Sequence, residues 1–221
     1  MDKIVPAFQV TLFDPTLSDA CADMAELGID SLLDDGIFKS LPIVSVLVGL
    51  GKTAQNIHDR NLLKQSAQFI NTFNTKTISQ AALDKHRNKL NNNPKFAEEE
   101  LGRVVILLNS NVETKKSELL GKFYRAYVLE EIDWELFCEF AEITSKLFVS
   151  DLKLLSEIFS DVVTNTTQCQ GYRAERLISL GLIDSAPKSI SIGNIGSSMT
   201  QNYIRVNELG KQFCEIIQKT E

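Results

Sequence analysis

The run Ile43-Val44-Ser45-Val46-Leu47-Val48-Gly49-Leu50 constrains this chain more than any other stretch. Pro42 suits a first helical position, and Ile43, Leu47, Leu50, Ala54 and Ile57 fall at i, i+4, i+7, i+11 and i+14. The spacing predicts a helix from Pro42 to about Phe73, with Phe69, Ile70 and Phe73 continuing an apolar side. Val44, Val46 and Val48 fill the remaining sides of the first turns, so residues 43 to 50 are apolar all round. Such a segment must be covered on every side, by neighbouring helices or by something outside the chain.

The same run ends in Gly51-Lys52-Thr53, the closing tripeptide of a phosphate loop. That motif needs a glycine five residues before its second glycine, so that backbone amides can fold around the phosphates, and Val46 stands there. Valine adopts the required backbone only at a cost, and no Val/Ile-rich strand closing in Asp follows to hold magnesium. The residues therefore predict a helix interior, with no nucleotide.

A membrane remains as the other covering. As a helix, residues 41 to 50 measure about 15 Å, half the thickness of a hydrocarbon core. Lys39 precedes them, and Lys52, His58, Arg60 and Lys64 follow. Two readings stay open. In one, this is a central bundle helix. In the other, the chain is a membrane-active effector that inserts residues 37 to 51, with Ile43, Val44, Val46, Leu47, Val48 and Leu50 as the inserting set.

Asp14-Pro15 supplies a capping carboxylate and a first-turn proline, and Gly36 a terminator, which predicts a helix over 15 to 35. Leu17, Cys21, Met24 and Leu32 mark its apolar side. Residues 1 to 50 carry eight acids against two bases, whereas the other 171 residues are balanced at 21 of each. The net charge of -6 is thus local, and a broad basic face that coats nucleic acid is not expected.

Asn88 to Pro94 is the clearest break, preceded by a polar stretch, 74 to 90, that reads as a short exposed helix. Three helices should follow. Phe96, Leu101, Val104, Val105 and Leu108 mark the first; Leu119, Leu120, Phe123 and Tyr127 the second; Trp134, Phe137, Cys138, Ala141 and Phe148 the third. Connections as short as Ser110-Asn111 imply antiparallel neighbours, hence a bundle.

The last 70 residues change character. Leu152 to Val163 and Gln170 to Leu180 read as helices, the second closed by Gly181. Period-two alternation then predicts strands at Ser189–Ile192 and Tyr203–Val206, separated by a loop over 193 to 202, and Asn207 can cap a last helix through Ile217. Arg176-Leu177-Ile178-Ser179-Leu180-Gly181-Leu182-Ile183 and Tyr203-Ile204-Arg205-Val206-Asn207-Glu208-Leu209-Gly210-Lys211-Gln212-Phe213, in that order, resemble a winged-helix domain. The resemblance covers about a third of the chain. It implies that the first stretch ends a recognition helix and turns into a wing, and that the second is the returning strand and the helix behind it.

The expected fold is mainly α, with an N-terminal helical region (1–92), a bundle segment (93–150) and a winged-helix-like domain with a β-hairpin (151–221). Winged helices dock DNA or proteins, and the contact residues that the resemblance implies are Arg173, Arg176, Lys188 and Arg205. Five bases against three acids between Asn165 and Lys211 make a thin basic footprint for DNA, which tilts the expectation toward a protein partner.

Catalysis finds little footing. His58 and His86 have no partner at metal spacing, Asp34-Asp35 reads as a helix end, and Glu98-Glu99-Glu100 as a solvated helix start. Trp134, Phe137 and Phe140 read as core and its edge. Cys21, Cys138, Cys169 and Cys214 have no paired spacing and read as free thiols. The N-terminus lacks the pattern of a signal peptide, and no apolar run reaches spanning length, so a cytoplasmic location is expected. The expected function is a non-enzymatic interaction or regulatory protein without cofactor or metal, docking a protein partner, another copy of itself or DNA, in a setting such as bacterial stress or antiviral defence.

Overall fold

A computed structural model describes residues 3–14, 41–50, 57–75, 79–187 and 202–219, with the backbone alone over 47–50. The chain is mainly helical, with one small antiparallel hairpin near its C-terminus. Contacts divide it into two compact units, Met1–Ala141 and Glu142–Glu221. No described helix is long and apolar enough to cross a membrane.

In the first unit the described elements are α1 (Ile4–Phe13), α2 (Pro42–Leu50), α3 (Ile57–Asn74), α4 (Gln80–Asn92), α5 (Pro94–Ser110), α6 (Thr114–Val128) and the start of α7 (Trp134–Lys146), whose last turn belongs to the second. The helix predicted over 42 to 73 is found as α2 and α3, and residues 51 to 56 between them lie outside the described residues. The acidic helix predicted over 15 to 35 also lies outside them. Helix α1 was not expected: its composition is apolar nearly all round, and Pro6 sits in its first turn, so no periodic stripe announces it.

Helix α3 packs along α6 and against α5, and α1 packs on α2 and α5. Gly121 makes the α3–α6 approach feasible: a Cβ there would lie 2.9 Å from the Phe69 carbonyl oxygen and 3.0 Å from Thr72 Cβ. Phe8, Phe69, Phe73, Phe123, Tyr124, Phe137 and Phe140 fill the core, with Phe8–Phe69 and Phe69–Tyr124 ring centroids at 5.7 and 5.6 Å. The turn between α5 and α6 is tied to α3 by amide side chains. Asn61 Nδ2 donates to the Asn111 carbonyl (2.7 Å), and Gln65 Nε2 to the Val112 carbonyl (3.0 Å). Ser117 Oγ donates to Gln65 Oε1 (2.7 Å). Carbonyls of the turn, including that of the buried Asn111, are thereby satisfied.

The predicted break at Asn88 to Pro94 shrinks to one residue. Asn93 caps α5 by accepting from the Phe96 amide (3.1 Å), its own amide donates to Leu90, and Asn88 to Asn92 are helical. Helix α4 is exposed along much of its length but buries His86 and Leu90, one turn apart.

Glu100 corrects the reading of the Glu98-Glu99-Glu100 run as a solvated helix start. Glu98 and Glu99 are exposed, but Glu100 is 1% exposed. Its Oε1 accepts from Tyr124 Oη (2.7 Å) and lies 2.8 Å from His86 Nε2, and its Oε2 accepts from Tyr127 Oη (2.8 Å). Burial, followed by the Glu100 charge, pushes the Tyr124 and Tyr127 hydroxyls well above the usual phenol range, so both remain donors. One carboxylate thus joins α4, α5 and α6.

The second unit contains α8 (Asp151–Phe159), a 3-10 turn (Thr166–Gln168), α9 (Gly171–Ser179), β1 (Ile183–Pro187), β2 (Asn202–Val206) and α10 (Glu208–Lys219). Helix α8 stops at Phe159, short of the predicted Val163, where Asp161 turns the chain with φ 57°. Gly181, at φ 72°, ends α9 as expected. Strand β2 matches the predicted second strand, and its partner is Ile183–Pro187, with Ile183 opposite Val206. The strand predicted at 189 to 192 lies outside the described residues. Only Ile183 of β1 is buried, so β1 shows no alternation that could be read in advance.

Asn207 joins the hairpin to α10. Its Oδ1 accepts from the Gly210 amide (2.9 Å), while its Nδ2 donates to the Gly181 carbonyl (2.8 Å). Leu154, Leu155, Ile158, Ala174, Leu177, Leu182, Ile204 and Phe213 form the core of this unit. Cys214 is also buried, which pushes its thiol up to about 12.

Candidate functional site

Helix α9 carries Arg173 and Arg176 three residues apart, hence on one face, and that face meets the first turn of α8. Asp151 sits in that turn with a side chain only 1% exposed. Arg173 Nε donates to Asp151 Oδ1 (2.7 Å), and a second Arg173 nitrogen donates to the Ser150 carbonyl. Arg176 grips the same carboxylate with two prongs, Nε to Oδ2 and Nη2 to Oδ1, each 2.8 Å.

Burial alone would raise the Asp151 pKa, but the hydrogen bonds and charges of Arg176 and Arg173 outweigh it and hold the carboxyl below its ordinary value. A depressed folded-state pKa contributes stability that is present above the unfolded value. That contribution is lost as pH falls through the folded value, so this clamp weakens only in strong acid.

The clamped guanidinium of Arg176 lies within cation–π distance of two aromatic rings, 4.3 Å from the Phe148 centroid and 5.1 Å from the Tyr172 centroid. Tyr172 is fixed at its other end, where Oη donates to Gln170 Oε1 (2.6 Å). Phe148 is 56% and Tyr172 57% exposed. Phe148 had been expected among the apolar residues of the preceding helix. That helix ends at Lys146, which releases Phe148 from its stripe. The product is a cluster of two aromatic rings around a clamped guanidinium at the surface of the second unit, and Ile178 of α9 and Tyr203 of β2 are exposed as well.

The other residues named from sequence fall elsewhere. Arg205 is exposed on β2, directly across the hairpin from Asp184, so an acid stands beside its charge. Lys188 lies outside the described residues. In the first unit, Ile43 and Val44 are buried, along with Leu41, and Val46 is half-buried. The Ile43 amide donates to Thr11 Oγ1 of α1 (3.4 Å). Leu41, Ile43 and Val44 are therefore covered by the chain itself. The side chains of Leu47, Val48 and Leu50 lie outside the described residues. Among the described residues no group of three or more His, Cys, Asp or Glu side chains is placed to hold a metal ion.

Sequence reasoning missed Asp151, Phe148 and Tyr172. The i, i+3 arginine pair was a signal that some acid would be drawn to that face. Nothing in the sequence singles out Asp151, 22 residues upstream of Arg173, as that acid. No protein-family model, no curated protein and no solved structure matches the chain.

Proposed function

We propose that the chain is a non-enzymatic interaction protein whose winged-helix-like C-terminal unit docks a protein partner through Phe148, Tyr172 and Arg176. The observation that carries this reading is the fate of the arginine pair. A DNA-binding recognition helix needs cations directed at phosphates or base edges. Here both arginines of α9 are hydrogen-bonded to one buried carboxylate, and Arg205 faces Asp184. The second unit as a whole holds nine acids against eight bases.

What the unit does present is an arginine and two aromatics, residue types over-represented among the hot spots of protein interfaces. Their preorganisation adds to the case. Arg176 is fixed by Asp151 and Tyr172 by Gln170, so little side-chain freedom remains to be lost on docking. The helix–helix–hairpin–helix order of the unit supports the winged-helix reading.

Titration of the full chain against duplex DNA at low salt, followed by fluorescence anisotropy, separates the two classes of partner. The expected result is no binding that strengthens as salt is lowered. Binding with a salt dependence that weakens on Arg205→Ala or Lys188→Ala, both outside the Asp151 clamp, would transfer the assignment to DNA.

A further inference from the structure

The first unit holds a cavity of about 270 Å³ lined by Ala82, Lys85, His86, Lys89, Tyr127, Val128 and Glu130. It is smaller than most cofactor pockets, and a nucleotide would fill or exceed it. From its size and lining we propose that it binds a small anion bearing its own hydroxyl, a hydroxycarboxylate or hydrogen phosphate, with Lys89 holding the charge and His86 Nδ1 accepting from the hydroxyl.

The assignment of His86 follows from what lies beneath it. Both hydrogen-bond contacts of the ring are made at Nε2, 2.8 Å from Glu100 Oε1 and 3.2 Å from Tyr124 Oη. Glu100 already accepts from Tyr124 and Tyr127, and a carboxylate offers lone pairs only, so Nε2 carries the proton toward it. In the neutral ring Nδ1 is then an acceptor, and it is the nitrogen that makes no hydrogen bond among the described residues, on a side chain that lines the cavity. Two phenols and one carboxylate fix the tautomer, as in other histidines that present a single defined nitrogen to a ligand.

The charge balance selects an anion. Lys85 Nζ is 2.5 Å from Glu130 Oε1, an ion pair that cancels at the rim. The charge of Glu100 is buried behind His86 and already surrounded by donors. Lys89 has no carboxylate within salt-bridge distance among the described residues. Its Nζ lies 4.2 Å from the Phe96 ring centroid and 6.0 Å from that of Tyr127, contacts that leave the ammonium donors available. Glu130 also feels the Lys89 charge without pairing with it directly. Lys89 is thus a cation outside any ion pair among the described residues, and beside one fixed acceptor it matches a ligand that carries a negative charge and a hydroxyl on neighbouring atoms.

The test uses the full chain with ¹³C-labelled histidine and lysine, and titrates two matched pairs of probes at constant ionic strength. The pairs are glycolate against acetate and phosphate against sulfate, the second member of each lacking a hydroxyl near neutral pH. The expected result is saturable shifts of the His86 ring and Lys89 side-chain resonances, at least ten-fold tighter for the hydroxylated member of one or both pairs. The pair that discriminates identifies the source of the hydroxyl. Lys89→Met, which retains the stem over Phe96 at an exposed position, should weaken binding at least ten-fold without changing the thermal unfolding midpoint. Equal or unsaturable shifts within both pairs, or unchanged affinity in Lys89→Met, would overturn the proposal. Neither outcome bears on the docking surface of the other unit.

Discussion

Glu100→Ala is expected to destabilise the first unit by about 3–5 kcal/mol, the cost of removing one partner from a buried charge network. The substitution leaves Tyr124 Oη, on a fully buried side chain, without its acceptor, and deprives His86 Nε2 and Tyr127 Oη of theirs. Each stranded donor costs about 1–3 kcal/mol. Glu100→Gln retains one acceptor oxygen in the same volume and should cost only about 1–2 kcal/mol. Urea unfolding can be followed through Trp134, the single tryptophan, which lies 4.9 Å from the Phe137 ring and 5.2 Å from Tyr127. Similar midpoints for wild type and Glu100→Ala would mean that the network contributes nothing to holding α4 against α5 and α6.

Gly210→Ala should disrupt the second unit as severely, for a steric reason. A Cβ at this position would lie 1.9 Å from the Leu182 carbonyl oxygen and 2.8 Å from its carbonyl carbon. Both are backbone atoms, so no rotamer change relieves the overlap. Helix α10 would have to withdraw from the start of the hairpin, pulling the Asn207 amide off the Leu182 carbonyl. A cost of at least about 3 kcal/mol is expected, at the upper end of overpacking substitutions. Gly171→Ala is the control, since a Cβ there meets nothing within 4 Å. That variant should be neutral or gain up to about 1 kcal/mol from helix propensity. Thermal unfolding monitored by circular dichroism distinguishes the two. Equal midpoints would show that α10 does not seat against Leu182.

The contrast between Glu100 and its neighbours shows where the sequence was legible. Helices α5 and α6 and strand β2 could be read because their apolar residues keep a period matched to one buried face. Glu100 lies in the same phase as Ala97, Leu101 and Val104, all buried, but its residue type argued for solvent. Phase was the better guide, and the partners that make burial tolerable come from α4 and α6, beyond any local window. His86 repeats the point: its partner Glu100 is 14 residues away, on the next helix. At the candidate site the arginines were legible and their purpose was not. Arg173 and Arg176 were named as outward-facing contacts, and their destination, Asp151, emerged only when α8 and α9 packed together. Exposure of Phe148 likewise depended on where α7 stopped.

On the proposed reading, with the arginines drawn onto Asp151, the aromatic pair around Arg176 is the surface through which the second unit docks a partner. Replacing Tyr172 with a photo-crosslinking benzoylphenylalanine in the full-length chain, expressed in its native cells, tests that claim most directly. Lys153, an exposed position on α8, serves as the control site. The account predicts a discrete protein adduct from position 172, reproduced from position 148 and absent from position 153. An adduct of twice the chain mass would identify the partner as a second copy. Equal labelling from all three positions, or no protein adduct at 172 and 148, would contradict the account.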